Sequence, residues 1–208
     1  MNKNNLKSIV ENLINTFELA GKESIELQKL GLKIKIKDDN TPVSNGDLRV
    51  NEIITNKIKE LTPEIPIISE ETVDVKIKNN NKIFWLIDPI DGTKEYIKGK
   101  SEYTLNAALV IDQVPQIGMV GVPRKNQLFF TYGNGESFLI ENKIKQKINC
   151  SKKTPKNEVI AVSSEFKPSD EILNKLKEYK VTSIVKMASS YKFCVIAKGE
   201  YDIYAAKE

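Results

Sequence analysis

The stretch "LIDPIDGTKEYIKG", residues 86–99, sets two carboxylates, Asp88 and Asp91, three residues apart around a proline and ahead of Gly-Thr. It follows the apolar run Ile83-Phe84-Trp85. Pro89 biases Asp88 towards an extended backbone, so a strand is expected to run up to Asp88. The chain is then expected to turn, bringing Asp91 back beside Asp88 with the Ile90 carbonyl between them. Gly92 permits a positive φ and a ligand close to the backbone, and Thr93 can open a helix whose free N–H groups face an anion. Carboxylates held together repel, and at least one keeps its proton unless a cation neutralises them. An all-oxygen set of aspartates, a glutamate and a backbone carbonyl suits Mg2+ or Mn2+. The competing reading is an ordinary D-x-x-D-G turn with its acids in water, a pattern short enough to recur freely. A second apolar run, Ile65 to Ile68, ends in Ser69-Glu70-Glu71. If the two strands are parallel neighbours, their acidic ends meet.

The rest of the composition narrows the chemistry. Histidine is absent from the 208 residues, which excludes Ser-His-Asp and Cys-His catalysis and His-ligated zinc. Two cysteines, Cys150 and Cys194, are too few for a disulfide framework or a cysteine-rich zinc site and fit a reducing compartment. The net charge is +4, and arginine occurs only at Arg49 and Arg124. That balance gives a slight preference for anionic small molecules and no nucleic-acid signal. The lysine-rich "NKIKQKINCSKK", residues 142–153, alternates like an exposed strand and has no interleaved aromatics for stacking bases. The N-terminus lacks a signal-peptide core and no apolar run approaches spanning length, so a cytoplasmic protein without a transmembrane segment is expected.

The elements that must position the acids can be read from periodicity. Leu6, Ile9, Val10, Leu13, Ile14, Phe17 and Ala20 form a helical stripe. Lys33 to Lys37 alternate strictly, predicting a strand with one wet face. After "DDNTPVSNGD", a second helix carries Val50, Ile53, Ile54, Ile58 and Leu61 on one side, and Pro63 and Pro66 bracket its exit. Short strands are expected at Ile65–Ile68 and Ile83–Ile87, joined by a charged excursion, and a β-rich stretch runs from about Thr104 to Ile148. After Pro155 the order becomes strand, helix, strand, helix, strand: Val159–Ser163, Ser169–Tyr179, Thr182–Lys186, Ser189–Lys198 and Tyr201–Ala205. The expected organisation is an α+β lobe at 1–150 carrying the acidic site and an α/β lobe at 151–208.

"PIISEE" followed by "FWLIDPIDGTKEYIKG" resembles the inositol monophosphatase superfamily of Mg2+-dependent, Li+-sensitive phosphatases. "DGTKEYIKG" with "SEYTLNAALV" after it is more similar to the family's CysQ-type 3'(2'),5'-bisphosphate nucleotidases, which serve sulfur assimilation, than to its inositol phosphatases. The resemblance implies a layered αβαβα sandwich and hydrolysis of adenosine 3',5'-bisphosphate to AMP and phosphate. It implies a first Mg2+ on Glu70, Asp88 and the Ile90 carbonyl, a second on Asp88 and Asp91, and N–H groups of Gly92 and Thr93 on the phosphate. "DDNTPVSNGD" matches the family's D-x-[ST]-P-V-T-x-x-D stretch, with Ser44 where threonine is usual. Asp47 then stands where an aspartate, paired with Thr93, orients the attacking water. Ser44 and Asp47 are equally a capping box that opens the second helix, and the two roles are compatible. "MASSYKFC" resembles the nucleotide-contacting stretch of the nucleotidases, which puts Ser189, Ser190 and Lys192 on the substrate. The alternative there is a serine cap with a solvated Lys192.

The resemblance also has a gap. The family's late W-D-x-x-A-G motif, whose aspartate completes the second metal site, has no match. The nearest stretch, "YDIYAA" at Tyr201–Ala206, lacks the glycine and reads as a strand, which makes Asp202 a turn or strand-edge residue. The sequence is therefore expected to be C-terminally truncated, with the last helix of the sandwich missing, a weak second metal site and little or no turnover. An exposed apolar sheet face and self-association go with that expectation. Two other readings stay open: an inositol or sugar monophosphatase, and a non-catalytic remnant that binds metal or nucleotide.

Overall fold

A computed structural model describes residues 1–72, 82–133, 135–151, 158–164 and 168–206. The chain opens with helix α1 (Lys3–Leu30), whose first turn is capped by the Asn2 side chain accepting from the Asn5 N–H. Leu6, Val10, Leu13, Phe17 and Ala20 of its stripe are buried, and the helix ends at Gly31, where φ is 97°. A small antiparallel pair, β1 (Ile34–Ile36) and β2 (Pro42–Ser44), leads into helix α2 (Asn45–Leu61). The expectation of one wet face fails for β1. Ile34 is 48% and Ile36 65% exposed, because β1 bonds only to β2 and, while Val43 and Ser44 of β2 are buried, all three residues of β1 face water.

The main sheet has seven strands in the order β3 (Ile67–Ser69), β4 (Ile83–Asp91), β5 (Thr104–Ile111), β6 (Val114–Val122), β7 (Gln127–Tyr132), β8 (Ser137–Glu141) and β9 (Ile144–Ile148). The β3 and β4 strands are parallel, with Ser69 beside Ile87, so the two acidic strand ends do meet. The charged excursion between them, residues 73–81, lies outside the described residues. All other neighbours are antiparallel. The β5–β6 and β8–β9 turns put Asp112-Gln113 and Asn142-Lys143 at positive φ, the conformation that two-residue hairpin loops require. One face of this sheet buries Trp85, Ile87, Leu105, Leu109, Ile117 and Phe130 against α1 and α2.

Its opposite face is covered by a short helix, α5 (Tyr191–Ala197), where Val122, Phe129, Leu139 and Ile148 meet Tyr191, Cys194 and Val195. Beyond α5 stands a parallel three-stranded sheet in the order β11 (Val181–Lys186), β10 (Val159–Ser163), β12 (Ile203–Tyr204). Successive side chains of β10 alternate faces, as a strand must: Val162 joins the cluster around α5, and Ala161 packs on Ile172 and Leu176 of helix α4 (Asp170–Glu178). The order of layers is therefore helix pair, large sheet, helix, small sheet, helix. Several elements are shorter than their sequence patterns, α5 and β12 most of all. Residues 152–157, next to the expected lobe boundary, lie outside the described residues. None of the described helices is long and apolar enough to cross a membrane.

Candidate metal and phosphate site

A spacing of three along a regular strand points two side chains to opposite faces. Asp88 and Asp91 share a face because β4 does not end at Asp88. It continues to Asp91 through a bulge: Asp88 pairs with Asn106 and Asp91 with Thr104, so two residues of β4, Pro89 and Ile90, oppose the single Leu105. This corrects the expected turn after Asp88. Ile87 and Ile90 both point into the core against α1 and α2, and the two aspartates are left on the side of α5. Gly92 follows with φ 95° and caps helix α3 (Thr93–Ile97). A Cβ on it would lie 3.1 Å from the Glu102 carbonyl oxygen.

The acids differ in what they meet. Asp88 Oδ1 is buried and has no hydrogen-bond partner. Burial, the charges of Asp91 and Glu70, and a hydrogen bond shared with Glu70 raise the Asp88 carboxyl to about 8. Of the two neighbouring glutamates, Glu71 is turned inward to an ion pair with Lys37 at 2.8 Å, while Glu70 stands half exposed, 3.5 Å from the same ammonium. Asp91 Oδ2 accepts from both the N–H and the hydroxyl of Ser190, each at 2.5 Å. Among the described residues no three acidic side chains stand at ready ligand spacing. Even so, an orphaned buried carboxylate oxygen among like charges fits a cation, and the all-oxygen donor set fits a hard divalent one.

Asp47 is 1% exposed and closes the capping box of α2. Its Oδ2 accepts from the Ser44 N–H at 2.8 Å and the Ser44 hydroxyl at 2.5 Å. Its Oδ1 faces the Thr93 hydroxyl at 3.1 Å, and that hydroxyl is also 3.0 Å from the Ile90 carbonyl. Burial raises the Asp47 carboxyl, against the lowering effect of Ser44 and Thr93. Cap and Thr93 contact are thus made by different oxygens of one carboxylate. At the start of α5 the hydroxyl of Ser190 makes no cap bond and is given to Asp91. Ser189, at φ 56°, is buried, and its carbonyl accepts from Lys192 Nζ at 2.7 Å. Lys192 is half-buried and also lies over the Phe193 and Tyr204 rings, while Ser189 Oγ accepts from the Tyr191 N–H at 3.4 Å. Asp202 accepts from the Ser151 hydroxyl and the Ile160 N–H, a strand-edge role.

Three residues beside these acids escaped the sequence reading. Gly46 lies against the ring of Tyr96, which joins α2 to α3. Thr104 and Asn106 stand opposite Asp91 and Asp88. "TLNAALV" carries the necessary alternation, but only the strand register shows what its polar residues face.

Five layers with acids gathered at a strand bulge put the chain in the class of layered α/β phosphatase folds. The chain belongs to the inositol monophosphatase family, whose model matches residues 6–208. It is 35% identical, over 174 residues, to the 3'(2'),5'-bisphosphate nucleotidase CysQ of Buchnera aphidicola subsp. Acyrthosiphon pisum (strain APS). That match covers 83% of this chain and 64% of the relative, so the chain spans just under two thirds of that protein's length. The solved structure of CysQ from Bacteroides thetaiotaomicron, a bacterial member of the family, superposes with a TM-score of 0.74 at 25% identity, covering 95% of this chain and 79% of that one. An IMPase/NADP phosphatase solved with Mg2+ and phosphate has the same fold, with a TM-score of 0.75 at 18% identity over 96% of this chain and 74% of the other.

Proposed function

We propose that the chain is a divalent-metal-dependent phosphatase whose substrate is a 3'(2'),5'-bisphosphate nucleotide, adenosine 3',5'-bisphosphate giving AMP and phosphate. One observation carries this reading: the orphaned, buried Asp88 Oδ1 stands beside Asp91 and Glu70, with the Asp47–Thr93 pair bridging α2 and α3 nearby. The names of the 3'(2'),5'-bisphosphate nucleotidase relatives support the substrate class.

On this reading Glu70, Asp88 and the Ile90 carbonyl hold a first Mg2+, and Asp88 with Asp91 holds a second. Bound there, Mg2+ supplies Lewis acidity, lowers the pKa of water and offsets charge on the leaving oxygen. The chain's own residues do the rest. Thr93 donates its hydroxyl proton to Asp47 Oδ1, which leaves its lone pairs free to accept from, and so orient, a water molecule. Buried and held by two Ser44 bonds, Asp47 keeps that hydroxyl fixed at no cost in reorganisation. The N–H groups of Gly92 and Thr93 receive the scissile phosphate. Ser189 and Lys192 contact the nucleotide, Ser190 joins them from the 151–208 lobe, and the 1–150 lobe carries the metals.

The test is phosphate release from adenosine 3',5'-bisphosphate across a wide Mg2+ titration, beside the Asp91→Asn variant and with inositol monophosphate as competitor. Slow release, in keeping with a weak second metal site, that rises with Mg2+, favours the bisphosphate and vanishes in Asp91→Asn is the expected result. A preference for inositol monophosphate refutes the nucleotide assignment. Mg2+ binding with no release at any concentration refutes the enzyme and leaves a metal-binding protein.

A further inference from the structure

Four buried side-chain atoms among the described residues have no hydrogen-bond partner: Asp88 Oδ1, Thr104 Oγ1, Asn106 Oδ1 and Gln127 Oε1. Three of the four lie on adjacent strands. Asn106 is the cross-strand partner of Asp88, and Thr104 that of Asp91, and directly opposed residues share a face with their Cβ atoms about 5 Å apart. That face can be fixed independently. Leu105, Ala107 and Leu109 pack against α1 and α2, so Thr104 and Asn106, alternating with them, point to the other side. Their neighbours on β6 agree, since Val120 and Val122 pack against α5. Thr104 is fully buried. The two residues therefore face the same side as the aspartates, and their oxygens have no hydrogen-bond partner.

The chemistry of the three atoms restricts what can meet them. The carboxylate oxygen and the amide carbonyl are acceptors and demand donors when buried, while the Thr104 hydroxyl can both accept and donate. A phosphate would bring more acceptors and be repelled by the Asp88 and Asn106 oxygens, although the Thr104 hydroxyl could donate to it. A bare cation could meet Asp88 and, at this cross-strand spacing, Asn106 directly. A cation that keeps part of its water shell answers each of them: the carboxylate ligates it, and its waters donate protons outward. Mg2+ holds several waters in this way, whereas Ca2+ exchanges them for protein oxygens. Ser190, whose N–H and hydroxyl both donate to Asp91, supplies donors from the α5 side and leaves the β5 side to be satisfied by the ligand.

We propose that Thr104 and Asn106 are positioning residues of the cation site, whose orphaned oxygens accept hydrogen bonds from the water shell of a divalent cation on Asp88 and Asp91 and so favour a hydrated ion such as Mg2+ over Ca2+. This inference rests on the metal-dependent reading above. Outer hydrogen-bond partners of metal sites are worth about 10–100-fold in affinity.

The experiment measures Mg2+ and Ca2+ affinity by calorimetry, and melting temperature with a chelator, for the wild type, Thr104→Val, Thr104→Ser, Asn106→Leu and Asp88→Asn. Thr104→Val and Asn106→Leu should each weaken Mg2+ by about tenfold, with a smaller loss for Ca2+. Thr104→Ser, which keeps the oxygen, should retain wild-type Mg2+ affinity. Without metal, Thr104→Val should melt no lower than the wild type, since valine removes a buried hydroxyl that had no hydrogen-bond partner. Unchanged Mg2+ affinity in Thr104→Val and Asn106→Leu, with binding lost in Asp88→Asn, overturns the inference and leaves the cation site standing. An equal loss in Thr104→Ser and Thr104→Val overturns it too, because packing rather than the oxygen would then be at work. If Asp88→Asn binds Mg2+ as the wild type does, or the wild type binds none, the metal-dependent reading falls and takes this inference with it.

Discussion

Gly46→Ala tests how the two halves of the Asp47–Thr93 pair are held in register. Asp47 is on α2 and Thr93 on α3, and the helices meet where Gly46 lies under the ring of Tyr96. A Cβ on Gly46 would stand 2.6 Å from Tyr96 Cε1 and 2.8 Å from Cζ, and closer still to the hydroxyl oxygen, where ordinary contact begins at 3.4 Å. Tyr96 cannot yield. It is fully buried, its hydroxyl donates to the Ser24 carbonyl at 2.7 Å, and its ring lies 4.7 Å from that of Tyr103. The helices must separate by about 0.8 Å to relieve the Cε1 contact. Added to the 3.1 Å between Thr93 Oγ1 and Asp47 Oδ1, that displacement exceeds hydrogen-bond range. Overpacking and the weakened Tyr96 bond together cost about 2–4 kcal/mol, a fall in melting temperature of about 5–15 °C for a chain of this size. Misplacement on this scale lowers turnover by about 100-fold. The assay is thermal unfolding together with kcat for Mg2+-dependent phosphate release, measured well below the transition. Tyr96→Phe is the control: it loses the bond to Ser24 but pushes nothing apart, so it should lose about 1 kcal/mol and keep its kcat. A Gly46→Ala protein with native melting temperature and native kcat would refute the reasoning.

Two further outcomes are expected. With a chelator present, the wild type should lose stability as pH rises, because Asp88 titrates at about 8 when folded against 3.8 as its reference value. The folded state binds that proton more tightly, so the contribution is whole below pH about 4 and is lost as pH rises through about 8, at no more than about 1.4 kcal/mol per unit. Asp88→Asn should flatten the slope, Mg2+ should restore the wild type alone, and identical slopes in the two proteins would sink the argument. At the other end of the strand, Trp85 is fully buried and its indole N–H donates to Thr62 Oγ1 at 3.0 Å. Thr62→Val should cost about 1–3 kcal/mol in thermal unfolding while leaving kcat intact, and an unshifted transition would show that the indole finds another acceptor.

Much of this architecture was legible because periodicity reports on burial. The stripe of α1 and the two apolar runs that end in acids follow from where apolar residues repeat and stop, and the register adds that the runs pair in parallel. The strand at Lys33–Lys37 was misread for the same reason: alternation states that a strand has two unlike faces, not that another element covers one of them. Beyond that limit lie relations that only tertiary register creates. Nothing in "DPID" distinguishes a turn from a bulge, since Pro89 tolerates both. The difference is settled where Asp91 pairs with Thr104. Likewise the hydroxyl of Ser190 is the right group for a helix cap, yet it bonds to a carboxylate 99 residues away.

The same bulge explains why the acids of this chain come as a set. With a regular strand, Asp91 would turn into the apolar space that Ile90 now fills, and Asp88 would face Asn106 alone. One extra residue in β4 rotates everything after it: Ile90 goes into the core, Asp91 comes out beside Asp88, and Gly92 can start α3 at the angle that carries Thr93 to Asp47. Straightening the bulge with all its residues kept would therefore move three functional groups at once, whereas deleting Pro89 or Ile90 would leave Asp88 and Asp91 two apart on one face. Leu105, fully buried, stands opposite the two bulged residues. The geometry on which the carboxylates depend is thus set opposite a core side chain without a polar atom.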